Sequence, residues 1–281
     1  MNIKILKETQ DKIIYHISNA ELPLVNTLRR LIIEEVPTIA IDEVTFVKNN
    51  SALYDEVIAH RLGLLPLTSD IKSYNFLEDC KCKGKGCSRC QVKITLQAKG
   101  PCTVYASDLK SRDSKIKPVY PETPITILLK GQDLQLEATA KMGRGKDHSK
   151  FSPGLAYYRF YPSLKANKDS NIKKCAELSD NLEIKGNKLE SIEEIKKAVE
   201  ECKGALVAKG SSAEIKDIVS WNEAYEEICE KNGLEIEYSD EEFIFTAEAW
   251  GQLSVKEMLL EAMKIFDEKL GEFNKLIKKL K

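Results

Sequence analysis

Four cysteines crowd into eleven positions as Cys80-x-Cys82-x4-Cys87-x2-Cys90. Thiolates at that spacing can close a tetrahedron around one metal ion, and Gly84 and Gly86 let the backbone turn between the two pairs. Lys81, Lys83 and Lys85 would offset the negative charge of such a site. Zinc is the expected ion, ahead of iron. Its role would be structural, because four cysteine ligands leave no open position for a substrate. The alternative is a flexible loop of reduced thiols. Cys175, Cys202 and Cys229 follow one another at steps of 27 residues, and Cys102 stands alone in a strand-like stretch. Each of these four is expected as a small buried hydrophobe.

The three histidines add little. His16, His60 and His148 have no Ser, Cys or Asp at a spacing that suggests a triad, and no residue can be nominated as catalytic. Gly143-Arg144-Gly145-Lys146-Asp147-His148-Ser149-Lys150 joins flexible glycines to basic side chains. Its spacing fits neither the phosphate loop nor the dinucleotide fingerprint, so a loop that contacts a partner protein is the better reading.

The elements that must carry these residues mix strand and helix. Ile3–Leu6 and Lys12–Ile17 read as short strands joined by a polar turn. Pro23 suits the first turn of a helix in which Val25, Leu28, Ile32 and Val36 recur at helical spacing, and Pro37 ends it. Its wide apolar stripe predicts burial on more than one side. Ile39–Lys48 returns to strand, and Tyr54–Leu62 is a short helix closed by Gly63 and Pro66. Past the cysteine loop, strands are expected at Val92–Ala98, Thr103–Ala106, Ile125–Leu129, Leu134–Ala140 and Tyr157–Tyr161, with Met142–Pro153 a basic turn. From about Ser163 to Asp240 the chain reads as acidic and helical, with candidate helices at Ile192–Cys202 and Trp221–Lys231; a strand follows at Phe243–Ala249.

The last element is one long helix. Ser254-Val255-Lys256-Glu257 is a capping box, in which hydroxyl and carboxylate satisfy each other's backbone N–H groups. Val255, Met258, Leu259, Ala262, Ile265, Phe266, Leu270, Phe273, Leu276, Ile277 and Leu280 keep one apolar stripe, roughly 39 Å long at about 1.5 Å per residue. A stripe of that length outruns a single small core, so part of it is expected to meet another chain. A helix folded back on its own domain is the alternative.

Composition narrows the class. The 281 residues are 42% hydrophobic and 31% charged. No apolar run approaches the roughly 18 residues of a membrane span, and no signal-peptide core follows Met1. A cytoplasmic protein without membrane partners follows as the default, one whose cysteines serve metal or burial rather than disulfides. Net charge is −1, yet Lys72–Lys150 holds 16 basic against 8 acidic residues, and Ala176–Glu248 holds 8 against 20. Opposed lobes mark modules with different neighbours; for the acidic lobe a solvated face is an equal reading. No basic stripe is interleaved with aromatics, and sequence-specific nucleic-acid binding is not expected.

Several stretches together resemble the D subunits of archaeal RNA polymerase, relatives of the third-largest subunit of eukaryotic polymerase II and of the bacterial alpha subunit. The first is Asn26-Thr27-Leu28-Arg29-Arg30 ahead of Val36-Pro37. The second runs from Asn50-Ser51 through Leu53-Tyr54-Asp55-Glu56 to Ala59-His60-Arg61-Leu62-Gly63-Leu64-Leu65-Pro66-Leu67. Asp108-Leu109-Lys110-Ser111, Gly143-x-Gly145-Lys146-Asp147-His148-x-Lys150 and the amphipathic last helix complete the set, in family order over nearly the whole chain.

The resemblance implies an α+β fold with an alpha-subunit-like dimerisation domain, 1–47 and 241–281 with about 154–165. That domain would be split by a β-rich insert domain, 48–153, carrying the cysteine loop 80–90, and by an acidic ferredoxin-like insert domain, 166–240. It implies a non-catalytic assembly subunit of DNA-dependent RNA polymerase, which pairs with the small L-type subunit to form a platform for the large catalytic subunits. The helices at 22–36 and 254–280 would pack on the L subunit, the latter through Val255, Met258, Leu259, Ala262, Phe266, Leu270 and Phe273. Arg29, Arg30, His60, Arg61, Arg144 and Lys146 become candidate contacts to the second-largest subunit, and small N- and P-type subunits become expected partners. The cysteine cluster resembles the zinc loop of the eukaryotic relative. One departure matters. Relatives that bind iron–sulfur clusters carry tight Cys-x-x-Cys runs in the third domain, and this chain has none there, so no cluster is expected.

Two other classes compete. A stand-alone zinc-loop nucleic-acid binder would show salt-sensitive DNA binding, which a net charge near zero argues against. A redox protein would need cysteine ligands that the acidic lobe lacks.

Overall fold

The computed structural model describes residues 1–166, 206–209, 212–215, 218–223, 226 and 234–280. They make an α+β protein, mostly sheet, in two units. Met1–Glu8, Ile14–Leu22 and Tyr158–Phe245 form the first; Thr9–Ile13, Pro23–Tyr157 and Thr246–Lys281 form the second.

A six-stranded sheet carries the first unit, in the order β1 (Asn2–Glu8), β2 (Lys12–Ser18), β12 (Leu234–Ala249), β9 (Gly154–Ala166), β11 (Ser212–Ile215) and β10 (Leu206–Lys209). Phe243 is fully buried and meets the ring of Tyr158 edge-on at 5.8 Å and that of Phe160 at 5.4 Å. The Arg159 guanidinium donates to the backbone carbonyls of Ile218 and Trp221, and the buried Trp221 donates from Nε1 to Glu226 Oε1 at 3.1 Å. The helical reading of 163–240 needs correction where the chain is described, since 206–209, 212–215 and 234–240 are strand. Leu234, Ile236 and Tyr238 alternate with Glu235 and Glu237, a period-two pattern beneath the acidic composition. The candidate helix Ile192–Cys202 and the cysteines at 175, 202 and 229 lie outside the described residues, as does most of Trp221–Lys231.

The second unit is built on β3 (Pro37–Asn49), β8 (Asp133–Arg144), β4 (Gln91–Lys99) and β6 (Lys110–Ser111), in that order and antiparallel throughout. A ribbon of β5 (Cys102–Tyr105) and β7 (Pro124–Leu128) lies beside it. Val92, Ile94 and Leu96 recur at every second residue of β4, opposite Ala140, Ala138 and Leu136 of β8, so one face of this strand pair is apolar. Ile58 and Leu62 of helix α2 (Asp55–Gly63) join that core, with Ile39, Ile41, Val104, Ile125 and Leu128. Cys102 is exposed, against expectation. It occupies the first residue of β5, beside the Gly100-Pro101 turn, whereas Val104 points into the core.

The single helix expected over 22–36 is two elements. Helix α1 (Leu22–Arg30) gives way to a π-helical turn, Leu31–Glu35, closed by Val36 N donating to Leu31 O at 3.1 Å. The wider turn brings Leu31, Ile32 and Val36 inward together before Pro37 opens β3. Leu22 and Leu24 remain 39% exposed, so this chain alone covers α1 on one side. The last helix, α3 (Val255–Lys279), starts as expected: Ser254 Oγ accepts from Glu257 N at 3.3 Å while Glu257 Oε2 accepts from Ser254 N at 3.0 Å. No helix among the described residues is long and apolar enough to cross a membrane.

Candidate functional site

The cysteine loop leaves and rejoins the sheet through fixed contacts. Asn75 N donates to Arg89 O at 2.8 Å, tying its entry to its exit. Tyr74 donates its hydroxyl to Asp113 at 2.7 Å, and Lys115 Nζ lies 2.7 Å from Asp70, which also takes the Ser73 hydroxyl at 2.8 Å. Lys115 and Ser73 hold the Asp70 carboxyl down at about 2. Inside the loop, Lys83, Gly84 and Gly86 adopt positive φ (53°, 78° and 78°), which folds the two cysteine pairs onto each other.

All four sulfurs lie within 4.8 Å of one another. Cys80 is 3.5 Å from Cys87, Cys82 is 3.6 Å from Cys90, and Cys87 is 3.8 Å from Cys90. Zinc–sulfur bonds of about 2.3 Å in a tetrahedron place sulfurs about 3.8 Å apart, so the set fits a single ion. A cluster of several irons needs a wider frame. Burial pushes the Cys90 thiol up to about 12. At Cys82 burial acts the same way, but the sulfurs of Cys80 and Cys90 and the Gly86 backbone outweigh it and bring the thiol to about 7. Such a group loses its first proton near neutral pH, and a bound cation would favour loss of the rest.

The second feature is the apolar stripe of α3. Val255, Met258 and Ala262 are buried in the chain, and Leu259, Ile265 and Phe266 are half-buried. Leu259, Met263, Phe266, Leu270 and Ile277 follow one edge of the stripe at helical spacing. Beyond Lys269 the other edge is uncovered as well: Phe273 is 60% and Leu276 59% exposed. The helix therefore packs along its first half and overhangs along its second. Met263 was not legible as part of this face, because only the burial of Met258 and Ala262 shows which edge stays outside.

The basic candidates divide into two groups. Arg30 pairs with Glu34 at 3.0 Å, and Arg29 donates from Nε to Asn26 Oδ1 at 3.1 Å. Gly145 approaches the π-helical turn so closely that an added Cβ would lie 2.0 Å from Ile33 O, and Lys146 N donates to Glu34 O at 3.0 Å. The glycines of this loop thus serve close packing. Arg144 stacks its guanidinium 4.2 Å over Phe76, just ahead of the cysteine loop. His60 and Arg61 belong to α2 instead, where His60 is exposed and Arg61 donates to Pro124 O at 2.8 Å.

Glu35 gathers charges from three segments. Its carboxylate meets Lys269 Nζ at 3.0 Å, Lys146 Nζ at 3.2 Å and Arg144 Nε at 4.0 Å, with the side chain only 15% exposed. Sequence reading passed it over, since a glutamate at a helix end carries no motif. Burial pushes its carboxyl up, but the hydrogen bonds from Lys269 and Lys146 outweigh burial and hold it below the ordinary 4.5. A depressed acid contributes stability that is complete above its unfolded value and lost as pH falls through its folded one. Wild type and Glu35→Gln should therefore differ in thermal midpoint above about pH 5, and the difference should fade as pH falls through the depressed value of the Glu35 carboxyl in a melting series.

Comparison with known proteins places these features. The family model for the RNA polymerase Rpb3/RpoA insert domain matches residues 39–153. DNA-directed RNA polymerase subunit Rpo3 of Thermococcus kodakarensis is 36% identical, over 100% of this chain and 99% of its own. The Rpo3 subunit of Pyrococcus horikoshii is 37% identical over 97% and 96%, and that of Methanosarcina acetivorans 33% identical over 100% and 99%.

Proposed function

This chain belongs to the Rpo3 family of DNA-directed RNA polymerase subunits, and from that premise we propose that it assembles the enzyme by pairing with a small L-type subunit along α3 and α1. It is a non-catalytic subunit, and nucleotide transfer is the work of other chains in the complex. The division of the α3 stripe supports the pairing. A soluble helix gains nothing by leaving Leu270, Phe273, Leu276 and Ile277 in water, whereas an equivalent helix laid on them would bury that surface at about 25 cal/mol per Å2.

In this reading residues 1–47, 241–281 and about 154–165 form the dimerisation domain, 48–153 the β-rich insert and 166–240 a ferredoxin-like insert without a cluster. Cys80, Cys82, Cys87 and Cys90 hold zinc, which locks the loop shape and does no chemistry on a substrate. Arg29, Arg30, His60, Arg61, Arg144 and Lys146 present the face for the second-largest subunit, N- and P-type subunits join the platform, and the work is cytoplasmic. Co-expression with an L-type subunit from a relative, followed by size determination, tests the core of this reading. A one-to-one heterodimer is the expected product. A well-behaved monomer that ignores the small subunit would remove the role assigned to α3.

A further inference from the structure

We propose that Glu35 is the positioning residue of the pairing surface, setting the direction in which the free end of α3 leaves the chain. This rests on the reading of α3 as the pairing helix. Packing against the chain holds α3 firmly through Val255, Met258 and Ala262, and partly through Ile265 and Phe266. The next tie along the helix is Lys269 Nζ on Glu35 Oε1 at 3.0 Å. Past that tie, Leu270, Phe273, Leu276 and Ile277 stay exposed.

A helix fixed at one end swings about its last fixed point. From Lys269 to the end of α3 about 15 Å of helix remains, so a tilt of about 10° moves the tip by roughly 3 Å. Apolar contacts reach only about 4.5 Å, so such a swing opens the seam that a partner helix must fill.

Glu35 suits the task because its own side is rigid. It closes the π-helical turn, whose hydrogen bonds run to Val36 and Lys146, and it is largely shielded from water. Its carboxylate stands among Lys146, Arg144 and Lys269. Removing that one negative charge leaves Lys269 facing two other cations, and their repulsion pushes α3 away from the end of β8. On this side of the helix Lys264 is paired with Glu261 at 3.0 Å and Glu268 at 4.0 Å, and Asp79 and Glu272 line the same cleft, whereas among the described residues Glu35 alone bridges Lys269 to Lys146 and Arg144 in the ion pairs observed.

The test compares the dissociation constant of the co-purified pair for wild type, Glu35→Gln, Lys269→Met, Lys269→Arg and the Glu35→Gln/Lys269→Met double variant. Each of the first two changes should weaken pairing about five-fold, with the double variant no worse than Glu35→Gln alone and Lys269→Arg close to wild type. Hydrogen exchange supplies a readout that general destabilisation would not reproduce: Glu35→Gln should speed exchange at the amides after Phe266 and leave those of Val255–Ala262 unchanged. Wild-type affinity in Glu35→Gln, additive losses in the double variant, or faster exchange along the whole helix would each overturn the assignment. Should wild type itself fail to pair, the pairing reading falls, and the exchange profile of the chain alone then decides the role of Glu35.

Discussion

Phe273→Glu is expected to abolish pairing with the small subunit while leaving the chain's own fold intact. Phe273 is 60% exposed on the overhanging half of α3, and glutamate is at least as good a helix former as phenylalanine, so the monomer loses nothing. In the pair the balance reverses. Burying a phenylalanine contributes about 1.5–3 kcal/mol, and a carboxylate forced into the same apolar seam costs more again. Since about 1.4 kcal/mol is tenfold in affinity, the dissociation constant should rise at least about a hundredfold. Lys275→Glu, on the opposite face, is the control and should pair normally. The same substitution at Met258 or Ala262 would be uninformative, because both are buried in the chain that carries them. A Phe273→Glu variant that co-purifies with the small subunit as wild type does would mean the partner lies elsewhere.

Loss of the metal should melt a loop and spare the sheet. Structural zinc sites in small peptides are worth about 10–16 kcal/mol, so each of four ligands carries roughly a quarter, a hundred- to thousandfold in affinity. Cys90→Ser should lower zinc affinity by about that factor, and native mass spectrometry should find one zinc per chain before the change. The core of β3, β8 and β4 is closed by its own aliphatic residues, so far-UV circular dichroism should barely move. Trypsin is the sharper probe, because Lys81, Lys83, Lys85 and Arg89 all sit on the exposed side of the loop. Cleavage there should become fast in the chelated protein. A metal-free native chain, or a Cys90→Ser variant as resistant to trypsin as wild type, would argue for plain reduced thiols.

Much of this was legible because it depends on local pattern. Val92, Ile94 and Leu96 alternate, Ser254 and Glu257 cap, and the four cysteines lie within one loop, so each could be read without knowing what stands opposite. What failed depended on neighbours distant in sequence. Cys102 has the composition of a buried residue, and its exposure follows only from its place at a ribbon end. Glu35 meets cations more than a hundred residues away, at Lys146 and Lys269, and no window along the chain contains all three. The π-helical turn was hidden for a related reason. Helical spacing fits Val25, Leu28 and Ile32, and the extra residue per turn is decided by Pro37 and by how closely Gly145 must approach Ile33 O.

Pro37 faces Arg144 in the ladder of β3 and β8. Thr38, just ahead of the matched segment 39–153, donates its hydroxyl to Phe151 O at 2.7 Å, so the chain enters and leaves that segment close together in space. A module whose ends meet behaves as a cassette. It can grow or shrink while the chain outside it, the π-helical turn on one side and β9 on the other, keeps the same two connection points. That geometry explains why a family model can be drawn around the insert by itself.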